Sequence, residues 1–288
     1  SASAPFRYRA ITIMTPELLF AAGSGLSISL IGISIRAASG KNIDPLRVFF
    51  LLAAAGFIFF LPTAITAELR LPAIVLGLFA GVTQYAAARL YRTGLALGPL
   101  TPLWCALLLG FLEPIAWSAV VHGTRLTPGH WIAVVFTIAG VIMSSRLSHN
   151  GSAAPAGMTW KYLGLLVTVL LINGIANVCL VEADARGWKG SFPQLMAALY
   201  ASAAACSWLE LMRGKRAAAE RWAAVLPWGL MAAVGSIGGM SLLQRCIQGN
   251  PGLVFTVQAC ASITGAALAG LIFFRERATF TWRITVAL

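Results

Sequence analysis

Apolar runs of about 20 residues follow one another along the whole chain, and no other feature of the sequence limits the fold as much. A bilayer core offers no partner to an open backbone N–H or C=O, so such runs cross it as helices. With proline, glycine and charge clusters as punctuation, they fall near 15–36, 45–66, 71–91, 100–121, 128–145, 159–182, 192–213, 222–246, 251–274 and 278–288. The expected fold is therefore all-α and integral to the membrane, with about ten transmembrane helices. The tenth run is too short to span and ends without a polar tail, so it is expected to continue. No signal peptide is visible ahead of Arg9.

Several runs open on a capping oxygen followed by proline, the pairing suited to a first helical turn: Thr15-Pro16, Asp44-Pro45, Thr101-Pro102 and Thr127-Pro128. The composition agrees with a lipid solvent. The chain is 59% hydrophobic and 10% charged, against about 25% charged in soluble domains. Its net charge of +12 is spread in ones and twos between apolar runs, which suits anionic headgroups and excludes a nucleic-acid surface. The expected location is an integral, multi-pass one in a bacterial inner (plasma) membrane. Cys105, Cys179, Cys206, Cys246 and Cys260 form no CxxC pair and have no histidine at ligand spacing. They read as small buried hydrophobes, and no metal or cofactor is expected.

The longest polar connection lies around Asn150-Gly151 and Pro155 and splits the runs five and five. The expected organisation is a first repeat over 1–146, a connecting loop over 147–158 and a second repeat over 159–288. Sliding the chain by 152 residues sets Gly98-Pro99 on Asn250-Pro251, Arg125 on Arg277, Thr127 on Thr279 and Gly77 on Gly229. Five helices is an odd number, so two tandem copies must lie in opposite senses across the membrane. That is the inverted-repeat plan of secondary transporters, which bind solute near the midplane between the halves.

Leu112-Glu113-Pro114-Ile115, Gly123-Thr124-Arg125-Leu126-Thr127 and Gly140-Val141, with Arg275-Glu276-Arg277-Ala278-Thr279 at the matching place in the second half, resemble the EamA family of the drug/metabolite transporter superfamily. The family's fourth and ninth helices end in a Gly-Glu-Arg-Leu-like turn; here Thr124 stands in the first copy and Glu276 in the second. The resemblance implies a carrier of a small organic metabolite, amino-acid-like or otherwise amphipathic, working by alternating access. It also implies a cavity between helices one, three, four, six, eight and nine. Relatives among the small multidrug exporters carry a carboxylate inside the first helix. Glu17, beside Pro16, sits at a helix start instead, which counts against proton-coupled cation export. The resemblance puts the N-terminus in the cytoplasm. Lys and Arg, however, are more numerous in the connections after odd-numbered helices, and the positive-inside rule then puts it outside.

Polar residues in the hydrocarbon region are costly and so are the candidate substrate-binding groups. Glu113 precedes Pro114 midway along the fourth helix; it is placed either to bind solute or protons or to satisfy backbone freed at a kink. Asn173 and Asn177 share a face of the sixth helix, to meet solute or a neighbouring helix. Gln84 and Tyr85 on the third helix lead to Arg89, a vestibule cation or a snorkelling one. Gln244, with Arg245 as a second vestibule candidate, and Gln258 and Ser262 occupy the corresponding helices of the second half. Ser24 lies in the small-residue stretch of the first helix, and Trp104 is either a ring-stacking group or a headgroup-level anchor. Gly77-x-x-x-Gly81 and Gly235-x-x-x-Gly239 allow close helix approach.

The rival readings are an intramembrane lipid-modifying enzyme and a lipid scramblase. The enzyme needs a reactive constellation and none is recognisable, whereas sequence does not separate a carrier from a scramblase on the same fold. His122, His130 and His149 fall at or beyond helix ends, no H-E-x-x-H occurs, and Gly23-Ser24-Gly25 has no evident base. The expected partners are a small-molecule solute and membrane lipids, with homodimer formation left open.

Overall fold

The computed structural model describes residues 15–97, 100–123, 128, 131, 135, 160–213, 222–247 and 251–274. The helices are α1 (Thr15–Ser39), α2 (Pro45–Thr66), α3 (Leu71–Leu97), α4 (Leu100–Leu109), α5 (Leu112–Val121), α6 (Trp160–Ala185), α7 (Phe192–Arg213), α8 (Trp222–Cys246) and α9 (Pro251–Phe274). There is no strand among the described residues. Six of the helices, α1, α2, α3, α6, α7 and α8, are long and apolar enough to cross a membrane. The predicted connecting loop lies outside the described residues, as do the tenth run, the Gly140-Val141 pair and the 275–279 turn. Of 128–145 only three residues are described.

The punctuation explains the helix starts. Asp44 caps α2 by accepting from Leu46 N at 3.0 Å, and Pro45 takes the first turn, where its missing N–H costs nothing. Asn42, at φ 57°, turns the chain out of α1. The fourth run is not one helix. Pro114 has no N–H for the carbonyl of Gly110 and its ring crowds that carbonyl. The helix accordingly ends at Leu109 and restarts at Leu112, with Gly110 N and Phe111 N bonding back three residues to Leu107 O and Leu108 O, both at 3.3 Å. The break lies one turn before the Glu113-Pro114 kink expected from sequence.

Helices pack mainly across the two halves rather than with their chain neighbours. α1 lies on α8 and α9, α6 on α3 and the α4–α5 pair, α2 on α7 and α8, and α3 on α7. Exchanging α1, α2, α3 and α4–α5 for α6, α7, α8 and α9 returns the same set of cross-half neighbours.

The two glycine pairs lie at the closest crossings. A methyl group on Gly77 would meet Ala198 Cβ at 2.9 Å, and one on Gly81 would meet the Leu199 carbonyl carbon at 2.9 Å, so α3 rides directly on the α7 backbone. Gly235 and Gly239 do the same for α8 on α1, against Leu30 Cβ at 2.8 Å and Ile28 Cγ1 at 2.6 Å.

Candidate functional site

Between the halves lies a cavity of about 150 Å³, the size of one that holds benzene in an engineered protein. Of the candidate substrate-binding residues, Gln84, Trp104, Asn173, Asn177, Gln258 and Ser262 line it. The lining extends beyond the six expected helices. α2 adds Pro45, Phe49 and Leu52, and α7 adds Leu199, Tyr200 and Ala203. None of these except Tyr200 carries a polar group to flag it. Tyr200 reaches the cavity because Gly56 has no side chain: a methyl group there would lie 2.7 Å from the ring. Its hydroxyl is 2.7 Å from Ser236 Oγ, and its ring stacks on Phe60 with centroids 5.8 Å apart.

The break between α4 and α5 organises one wall. Phe111 N has turned to Leu108 O, so Leu107 O keeps only the 3.3 Å bond from Gly110 N and accepts a second, shorter one from Asn173 Nδ2 at 2.7 Å. Asn173 Oδ1 then accepts from Gln84 Nε2 at 3.2 Å. α3, α4 and α6 are thus tied through one amide at the cavity wall. A parallel chain runs through the second half, where Gln258 Nε2 donates to Ser24 Oγ at 2.8 Å and Ser24 donates to Gly239 O at 2.7 Å. Ser24 is fully buried and is a link between α1, α8 and α9, not a lining residue. Trp104 is buried beneath the cavity rather than set at a lipid-facing helix end; its ring meets Tyr91 edge-on at 6.2 Å and covers Gly32.

Glu113 does not line the cavity. Its carboxyl lies against the α6 backbone at Gly174, where an added methyl group would come within 2.7 Å of Glu113 Cγ, and Oε1 is buried without a hydrogen-bond partner among the described residues. The residue therefore bears on the cavity through α6, next to Asn173. Gly174→Ala is expected to destabilise the protein by about 1–3 kcal/mol through overpacking. Glu113→Gln, equal in volume, is expected to melt close to the parent, and thermal melting of the two purified variants checks the contrast.

Tyr85 and Arg89 belong to a cross-half ionic cluster instead of the lining. The Tyr85 hydroxyl donates to Glu210 of α7, Arg89 Nε lies 3.6 Å from the same carboxylate, and Arg92 Nη1 lies 3.2 Å from its second oxygen. Arg92 Nη2 also reaches Asp44 Oδ2 at 2.9 Å. One guanidinium thus joins the cap of α2 to α3 and α7 beside the cavity-lining Pro45 and Tyr91. Gln244 is half-buried away from the cavity, and the exposed Arg245 sits over the Phe20 ring at 5.7 Å.

Sequence reasoning missed Glu210 and Arg92, and also Gln194 at the opposite end. The Gln194 amide donates to Ala67 O at 3.2 Å and Glu68 O at 3.0 Å and accepts from Arg70 N at 3.1 Å, closing the α2–α3 turn onto α7. Its position three residues into α7 was the available signal: a buried amide at a helix start looks for open backbone.

No protein-family model matches the chain, and no curated protein does. Among solved structures 23 chains match. One of them, described only as "Crystal structure of protein", superposes with a TM-score of 0.69 at 18% identity, covering 94% of this chain and 92% of its own. At that identity the likeness is one of fold.

Proposed function

We propose that this chain is a secondary-type carrier of the EamA kind, moving a small organic metabolite by alternating access across a bacterial inner (plasma) membrane. In this reading ten helices form two inverted five-helix repeats that rock about the central cavity. The observation that supports it most is the packing: the cavity lies between the halves, and exchanging the halves maps the cross-half neighbours onto themselves. Purified protein in proteoliposomes should take up members of a labelled metabolite pool saturably and with counterflow. No uptake above empty vesicles, with flip of labelled lipid instead, would replace the carrier by a scramblase. Because Glu113 lies off the cavity, Glu113→Gln is expected to retain uptake.

The Arg92 bridge is the natural latch at one end. While it holds Asp44 to Glu210, α2 and α7 cannot part there. Arg92→Met removes both ion pairs while keeping the bulk of the stem. In a cysteine-free background, Arg92→Met is expected to speed aqueous-reagent labelling of Ala88→Cys, a cavity-wall position, severalfold. An unchanged labelling rate would mean that the bridge is packing alone.

A further inference from the structure

Building on that carrier reading, we infer that the cavity selects an uncharged, flat ring bearing N–H donors, and that Gln84 Oε1 and Gln258 Oε1 are the acceptors that read those donors. The orientation of both amides is fixed by main-chain carbonyls. Leu107 O can only accept, so Asn173 must offer it Nδ2 and keep Oδ1 for Gln84. Gln84 must therefore donate through Nε2, and its carbonyl oxygen is left over. Gly239 O likewise can only accept, so Ser24 donates to it and takes its own hydrogen bond from Gln258 Nε2, leaving the Gln258 carbonyl oxygen. Neither oxygen has a partner among the described residues, and both belong to side chains that line the cavity. Two acceptors held in place by the backbone call for donors on the ligand. Asn177, which lines the cavity with no hydrogen bond to any described residue, adds one group of each kind.

The rest of the lining specifies charge and shape. No described lining residue is charged. An ion brought in would lose its water without gaining a counter-ion, at a cost of several kcal/mol. The nearby guanidinium of Arg92 is already engaged by Asp44 and Glu210. Phe49, Tyr91, Trp104, Phe111, Tyr200 and Phe255 supply aromatic surface around the free volume, suited to a flat ring. A volume of about 150 Å³ admits one six-membered ring with a small substituent.

Three probes of one shape separate these terms: nicotinamide is neutral with amide donors, methyl nicotinate is neutral without donors, and nicotinate is charged. Uracil is a second neutral donor ring, and L-phenylalanine is a zwitterion with an aromatic ring. Equilibrium binding of each labelled compound to the protein in nanodiscs should be saturable for nicotinamide and uracil, and at least tenfold weaker for the other three. Gln258→Leu should lower nicotinamide affinity about tenfold, the worth of one hydrogen bond of about 1.4 kcal/mol. Asn177→Leu, which breaks no hydrogen bond among the described residues, provides a second folded variant with the same expected direction. Equal or tighter binding of nicotinate or phenylalanine would overturn the inference, as would binding of no ring by folded protein. Ring binding without uptake into proteoliposomes would overturn the carrier and leave the site standing. Saturable uptake of a charged solute with no ring binding would do the reverse.

Discussion

Gly81→Ala is expected to destabilise the protein by about 3 kcal/mol, although the same change at Gly164 is expected to be neutral or stabilising by up to about 1 kcal/mol. The two glycines share helical geometry, so propensity favours alanine at both. They differ in what the new methyl group would meet. At Gly81 it would meet the Leu199 carbonyl and the Ser202 hydroxyl, and since the first is backbone, no side chain can swing away to make room. α3 would have to lift off α7, and with it the Ser202 hydroxyl bond to Leu78 O at 3.0 Å. At Gly164 nothing lies within 4 Å. Thermal melting of both variants checks the prediction through the difference in sign. Two equal melting temperatures would mean that the α3–α7 crossing relaxes more freely than close packing allows.

Gly81 and Gly77 were legible in the sequence because small residues four apart in an apolar helix have few purposes other than close approach. The Asp44-Pro45 entry was equally legible, since a cap is a local signal. The broken fourth helix was half legible: Pro114 predicts the disturbance, but the break falls at Gly110, the residue whose carbonyl the proline ring crowds. Which face of each helix meets the cavity was less legible. In lipid the outward face is as apolar as the packed one, so polarity does not mark the inside as it does in water. Polarity singled out Gln84, Asn173, Asn177 and Gln258, which do line the cavity. It could not point to α2, whose contribution is Pro45, Phe49 and Leu52, nor separate Gln258 in the lining from Ser24 one layer behind it. The Arg92 bridge needs Asp44 and Glu210 side by side, and the chain separates those two by most of its length. Only the cross-half packing brings them together.

Asn173 and Asn177 were indistinguishable in sequence, four apart on one face, and the structure gives them opposite expected phenotypes. Asn173→Leu removes the donor to Leu107 O and the acceptor for Gln84 together. The Leu107 carbonyl then keeps only the long 3.3 Å bond from Gly110 N, and the half-buried Gln84 amide loses its acceptor, at about 1–3 kcal/mol for an unmet group. The α4–α5 break also loses the group that replaced its missing helical bond. The variant is expected to melt well below the parent and to lose uptake altogether, since α3, α4 and α6 are no longer tied at the wall. Asn177→Leu removes no hydrogen bond among the described residues and adds apolar contact, so its melting temperature is expected to equal or exceed the parent's. Uptake by that variant should persist with affinity reduced about tenfold, the loss of one solute hydrogen bond. Melting curves and uptake isotherms on the pair separate the two roles. Equal stability loss in both would mean that Asn177 has a structural partner, whereas unchanged affinity in Asn177→Leu would move the solute to another part of the cavity, toward Gln258 and the second half.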